Sequence, residues 1–158
     1  DRFWDMFIVD ADWELGPAQR ELGFLYDAVS DAIELAPVYD CGSCLYPRRM
    51  TDHAVCPYQS GDRDYRIYEI PTSAITLEGK KIRYFDFISS LREEGCSRAL
   101  RRIVPRIDMG KIGKLIYDTP FLSDLQRQFY LTMLAERKAK ILDFALEKLE
   151  QAKDGLCQ

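Results

Sequence analysis

At 158 residues the chain has the length of one ordinary domain, enough to bury a core of its own. Hydrophobic residues make up 47% and charged residues 30%, and the net charge of −4 leaves no basic excess to neutralise nucleic-acid phosphates. No apolar run approaches the roughly 20 residues that a membrane helix needs, so direct nucleic-acid binding and a membrane span are both set aside.

The first stretch, "RFWDMFIVDADW", places Phe3, Met6, Phe7 and Val9 on one face and reads as the end of an amphipathic helix. Its acids stand where a secretory signal would be basic, so no export signal is expected. The chain opens without Met, as a fragment or processed product would. "LGPAQREL" is a turn punctuated by Gly16 and Pro17. "GFLYDAVSDAIELAPVYD" predicts a hairpin, with "GFLYD" and "AIELAPV" as strands around a polar turn at Ser30 and Asp31. From Cys41 to Arg66 the chain is rich in Pro, Gly, Asp and Arg, the mark of a long loop.

"SAITLEGKKIRYFDFI" predicts a second hairpin, "AITL" and "KIRYF" around Glu78 and Gly79, after which Asp86 is placed to cap a helix through "FISSLREEG". "CSRALRRIVPRI" alternates apolar and basic faces at helical spacing up to Pro105. "MGKIGKLIYDTP" is a weaker helix, loosened by Gly110 and Gly113 and stopped by Pro120. Ser123 and Gln126 form a capping box. The helix it opens carries Leu125, Phe129, Met133, Leu134, Ile141, Leu142, Ala145, Leu146 and Leu149 on a core-facing stripe to about Lys153. The expected architecture is a single domain over residues 1–158, α+β but predominantly helical, carrying two small β-hairpins.

Asp40 is the first candidate for chemistry. It follows the predicted hairpin and precedes a glycine turn, where a carboxylate can be presented into a cleft. Hard oxygen ligands of this kind suit Mg²⁺ held jointly with nucleotide phosphates. The bland alternative is a carboxylate that only caps a turn.

"LAPVYDCGSCLYP" following "GFLYD" resembles the catalytic-core segment of HipA-like serine/threonine kinases. In that family the aspartate of L-x-P-x-Y-D takes the place of the Mg²⁺-binding aspartate of ordinary protein kinases. "PTSAITLEGKKIRYFDFI", "ALRRIVPRID" and "DTPFLSDLQRQFYLTMLAERKAKIL" resemble the helical C-terminal lobe of the same proteins, so the likeness spans nearly the whole chain. The resemblance implies a protein-kinase-like C-terminal lobe of the HipA type, Mg²⁺ with ATP as cofactor and Asp40 as a metal ligand. It further implies ATP and a protein substrate as binding partners, a DNA-binding antitoxin as a partner of toxin-antitoxin type, and a cytoplasmic location.

The chain departs from the family pattern in its catalytic loop. N-x-D-R-H-x-x-N is replaced by "DWELGPAQRELGFL", which puts Glu21 where the metal-holding Asn belongs and Gly16 where the substrate-orienting Asp belongs. Glu21 retains oxygen donors for Mg²⁺, whereas Gly16 has no side chain to act as a base. Asp10 and Asp12 lie upstream and read as solvent-facing or capping acids. No phosphate-binding glycine motif and no V-A-I-K-like strand lysine occurs, and the family carries these features N-terminal to the segment matched here.

The second candidate is a zinc site. Cys41, Cys44, His53 and Cys56 spell C-x2-C-x8-H-x2-C, and three thiolates with one imidazole suit tetrahedral Zn²⁺. The eight-residue middle is short for a zinc finger, and the HipA-like pattern does not call for zinc. Five cysteines, an odd number at uneven spacing, read as reduced thiols of an intracellular protein. Cys96 opens a helix whose dipole lowers a thiol pKa, though a small buried residue is the plainer reading. Arg98, Arg101, Arg102 and Arg106 read as a solvated basic face.

Two functions follow. The resemblance implies the C-terminal lobe of a HipA-like kinase that transfers the γ-phosphoryl of ATP to protein Ser or Thr in an intact parent. Alternatively the chain is a catalytically inactive pseudokinase module, retained for binding or regulation and stabilised by structural zinc.

Overall fold

The computed structural model describes residues 2–13, 24–36, 63–69 and 72–154. The order is α1 (Arg2–Trp13), β1 (Phe24–Asp27), β2 (Ala32–Leu35), a π-helical turn (Tyr65–Glu69), β3 (Thr72–Leu77), β4 (Lys80–Arg83), α2 (Tyr84–Ser90) and α3 (Glu94–Ile103). A 3-10 turn (Val104–Arg106), α4 (Met109–Asp118), α5 (Asp124–Arg137), a π-helical segment (Lys138–Asp143) and α6 (Phe144–Asp154) complete it. Helices dominate, and the strands form two separate two-stranded antiparallel sheets.

α1 is the centre of the helical body. Phe7, Ile8 and Ala11 are buried, while Val9 is 40% exposed. Met6 and Phe7 of the expected face are buried, and the stripe continues through Ile8 and Ala11 with the half-buried Trp4 against it, whereas Val9, two residues from Phe7, lies on the far side of the helix. On α3, Cys96, Ala99, Leu100 and, just beyond it, Val104 recur at helical spacing and face the same core. The two helices approach closely because Gly95 has no side chain: a Cβ there would drive into the Trp4 indole. Arg102 of α3 closes the contact electrostatically, its Nε and Nη2 donating to Asp5 Oδ1 of α1 at 3.0 and 2.6 Å.

α2 lays Tyr84 and Ile88 into this core. Its Phe87 ring stacks on Trp4 with centroids 5.8 Å apart, and Tyr84 meets Phe7 at 4.9 Å. The expected strand "KIRYF" ends instead at Arg83. Tyr84 and Phe85 belong to α2, and Asp86 lies inside its first turn rather than at the cap. Burial of the Tyr84 ring against Phe7 outweighs its strand propensity. Leu91, in left-handed backbone at φ 56°, stops the helix by turning its N–H back to the Ile88 carbonyl.

Pro105 sits in the 3-10 turn that ends α3, as expected. α4 is N-capped by Asp108, whose carboxylate accepts the Lys111 N–H at 3.0 Å. The capping box of α5 is complete: Gln126 N–H donates to Ser123 Oγ at 3.2 Å and Ser123 N–H to Gln126 Oε1 at 2.8 Å. The stripe that follows reaches the core through Phe129, Met133, Leu134, Ile141, Leu142 and Ala145. A π-helical segment interrupts this helix at Lys138, a feature that a 3.6-residue stripe does not announce.

Replacing Gly95 by Ala is expected to cost about 1–3 kcal/mol, the usual cost of overpacking a filled contact. Urea denaturation measures it, and an unchanged midpoint would mean that the Trp4 ring yields without penalty.

Candidate functional site

The β1–β2 hairpin stands outside the helical core. Its strands pair Phe24 with Leu35, Leu25 with Glu34, Tyr26 with Ile33 and Asp27 with Ala32. Phe24, Leu25, Tyr26 and Ile33 are all exposed. An isolated two-stranded ribbon is marginal in water, so local bonds must fix it. Asp27 Oδ1 accepts the Val29 N–H at 2.9 Å and Oδ2 the Ser30 hydroxyl at 2.6 Å, while the Tyr26 hydroxyl donates to Asp31 at 2.9 Å. The Ser30 hydroxyl, with the Val29 amide, holds the Asp27 carboxyl below its ordinary range. A depression of about 270 Å³ is lined by Leu25, Tyr26, Asp27, Ser30, Ala32 and Glu34.

The hairpin lies between the two segments that carry the expected metal ligands. In sequence, 14–23 joins α1 to β1 and contains Glu21, and Asp40 follows the buried Ala36 by four positions. Glu21, Asp40 and the thiol–imidazole set Cys41, Cys44, His53 and Cys56 all lie outside the described residues. Among the described residues, no group of three or more His, Cys, Asp or Glu side chains is placed to hold a metal ion.

What the described residues do contain is a buried charged cluster at the end of α1. Arg137, the last residue of α5, is fully buried. Its Nη1 donates to the Asp12 carbonyl at 3.3 Å and its Nη2 to the Arg66 carbonyl of the 65–69 turn at 2.9 Å. One guanidinium therefore ties α1 and the 65–69 turn to the long C-terminal helix. Beside it Lys138 Nζ bonds both oxygens of Asp143, at 2.7 and 2.9 Å.

Asp12 corrects the expectation for the upstream acids, because it is neither solvent-facing nor a cap. Its residue exposure is 0%, and among the described residues neither carboxylate oxygen has a hydrogen-bond partner. Burial pushes its pKa up from 3.8 to about 7; Arg137 and Lys138 oppose the rise, and Asp143 adds to it. The helix-opening thiol differs from the dipole expectation too. Cys96 is buried, and burial, with the nearby Glu93 charge, pushes its pKa to about 12, so it is an inert packing residue. The basic run of α3 is engaged: Arg98 pairs with Glu94 at 2.8 Å, Arg101 with Glu150 at 2.7 Å and Arg102 with Asp5.

Known proteins give this frame its relatives. Over 150 residues the chain is 45% identical to the serine/threonine-protein kinase CtkA of Helicobacter pylori strain J99, a match covering 90% of this chain and 45% of that protein. The chain is homologous to a serine/threonine-protein kinase. The crystal structure of a Helicobacter pylori proinflammatory kinase CtkA superposes with a TM-score of 0.84 at 38% identity, over 96% of this chain and 56% of that one. The helix-dominated body with two small hairpins thus shares its fold with that kinase structure and is consistent with a kinase-like C-terminal lobe. No family model matches the chain. It spans about half the length of the curated relative it matches. Among the described residues no helix is long and apolar enough to cross a membrane.

Sequence reasoning missed Asp12 and Arg137. Two acids near a helix end and an arginine between Glu136 and Lys138 look solvated in any linear pattern. The only local hint was that Asp12 shares a face with Ile8, four residues earlier.

A raised carboxyl pKa stabilises the fold fully below the unfolded value of 3.8, and that stability is lost as pH rises to about 7. Unfolding free energy should therefore fall by a few kcal/mol, to order of magnitude, from pH 4 to pH 8 relative to Asp12→Asn. Urea titrations of both proteins at the two pH values measure the difference. Parallel profiles would show that Asp12 ionises freely in the folded chain.

Proposed function

We propose that this chain is the C-terminal lobe of a HipA-like kinase, one domain of a longer protein that transfers the γ-phosphoryl of ATP to protein Ser or Thr. The observation that carries the reading is the 45% identity to a serine/threonine-protein kinase over 90% of the chain. Asp40 is assigned as a Mg²⁺ ligand and Glu21 as a second oxygen donor. Carboxylates are the hard donors that Mg²⁺ prefers, so the donor chemistry fits the ion. Bound there with ATP, Mg²⁺ would neutralise phosphate charge. The chain's own contribution is to carry the two carboxylates on segments flanking one hairpin in sequence, and to offer the exposed cross-strand pair Tyr26 and Ile33 as apolar surface for a nucleotide base. The partners assigned with this reading are ATP, a protein substrate and a DNA-binding antitoxin, in the cytoplasm.

Gly16 favours a second reading. With no side chain where the family's substrate-orienting aspartate belongs, proton handling at the substrate hydroxyl has no evident group, and the lobe would serve as a pseudokinase for binding or regulation. Cys41, Cys44, His53 and Cys56 would then staple it through structural Zn²⁺.

Calorimetric titration with Mg²⁺-ATP, with zinc determined on the same sample, separates the two. The kinase reading expects binding that Asp40→Ala weakens at least about tenfold, a loss of about 1.4 kcal/mol, without unfolding the chain. Equal affinity in the variant would remove Asp40 from the site. No binding, with one zinc per chain, would favour the second reading.

A further inference from the structure

We propose that Asp12 and Arg137 form a proton-linked clamp that sets how firmly the last turn of α1 is held against the 65–69 turn. The inference rests on the kinase reading only in what the clamp positions, since α1 runs directly into the segment carrying Glu21. Its proton linkage stands on the buried, unbonded Asp12 carboxyl beside Arg137.

The geometry centres on a guanidinium that bridges two elements. Arg137 is an obligate cation, and it spends Nη1 and Nη2 on backbone carbonyls of two different elements, Asp12 and Arg66. The Asp12 carboxyl is buried beside it with neither oxygen bonded among the described residues. A neutral carboxyl tolerates that position; a carboxylate does not, because an ion taken out of water needs donors. Ionisation therefore draws the guanidinium towards the carboxylate or opens the last turn of α1 to water, and either movement disturbs the carbonyl bonds that join α1 to the 65–69 turn.

The surroundings leave few other groups to take up the charge. On the 138–143 segment Lys138 is committed to Asp143 through both carboxylate oxygens. Lys140 pairs with Asp64 and Glu136 on the outer side. From α3 the charged group that reaches α1 is Arg102, and it is forked onto Asp5, about two turns from Asp12. The 65–69 turn offers Asp12's neighbour Arg137 a backbone carbonyl rather than a charge. The upward displacement of the Asp12 pKa places the transition near neutrality. Arg137 and Asp12 are accordingly positioning residues for the last turn of α1.

Hydrogen exchange read by mass spectrometry on the full chain tests this, with rates normalised for the intrinsic pH dependence of exchange. Protection in peptides covering the last turn of α1 and residues 65–69 should fall about tenfold between pH 6 and pH 8.5, the change expected for a shift of about one pKa unit in coupling. Peptides from α4 should keep their protection. In Asp12→Asn the step should vanish. In Arg137→Lys, where one ammonium replaces the fork, protection of the same peptides should be low at both pH values. A flat wild-type profile overturns the proposal, and so does a step that persists in Asp12→Asn or a loss spread equally over α4. None of these readouts involves ATP, so failure of the clamp and failure of the kinase reading are separate results.

Discussion

One buried guanidinium organises this molecule. Arg137 sits at zero exposure where α1, the 65–69 turn and the C-terminal helix meet, and it binds backbone rather than side chain on two of them. Placing a charge there is costly, and removing one partner of such an arrangement typically costs about 3–5 kcal/mol because the rest stays buried and unmatched. Arginine suits the position because its planar fork reaches two acceptors at once. The residues on either side are unusual as well. Arg66 lies in one π-helical turn and Lys138 opens another, so local departures from α-helical geometry occur at both ends of the contact.

The rest of the body can be read outward from that joint. α1 is held at its C-terminal end by Arg137, along its middle by Phe7 and Ile8 in the core, and near its start by Trp4 on Gly95 and Asp5 on Arg102. α2 and α3 are packed around it, and α5 to α6 supplies the opposite wall. Among the described side chains, Phe24, Leu25, Tyr26 and Ile33 of the β1–β2 hairpin are exposed and take no part in this core, and turn bonds from Asp27 and Tyr26 hold its conformation. The molecule thus has a buried helical frame and an exposed ribbon joined in sequence to the segments where carboxylates for chemistry are expected.

Much of the frame was legible in the residues, and for identifiable reasons. The turn at Glu78 and Gly79 needs positive φ at both positions, 52° and 76°, and Gly79 supplies the easier of the two. The capping box at Ser123 is local chemistry, and the stripe from Phe129 to Ala145 is a simple period. What stayed hidden depends on tertiary context. A π-helical segment adds a fraction of a residue per turn, which a stripe of leucines and alanines absorbs without a visible break. Tyr84 and Phe85 look like the end of a strand until the core claims Tyr84. Asp12 looks like a surface acid because nothing within the chain's local pattern says that Arg137, 125 residues later, will lie over it. Asp40 and Glu21 were reached through family resemblance; spacing alone did not separate them from turn-capping acids.

The most direct measurement is a backbone amide chemical-shift map of the isotope-labelled chain as Mg²⁺-ATP is added. If the lobe holds a nucleotide through Asp40 and Glu21, the perturbed amides will be those of the β1–β2 hairpin, Phe24 to Ala36, and of Asp40, with α4 and α5 silent. Saturating Mg²⁺-ATP that leaves the hairpin unshifted, or that moves α4 and α5 instead, would contradict the assignment of this face as the nucleotide site.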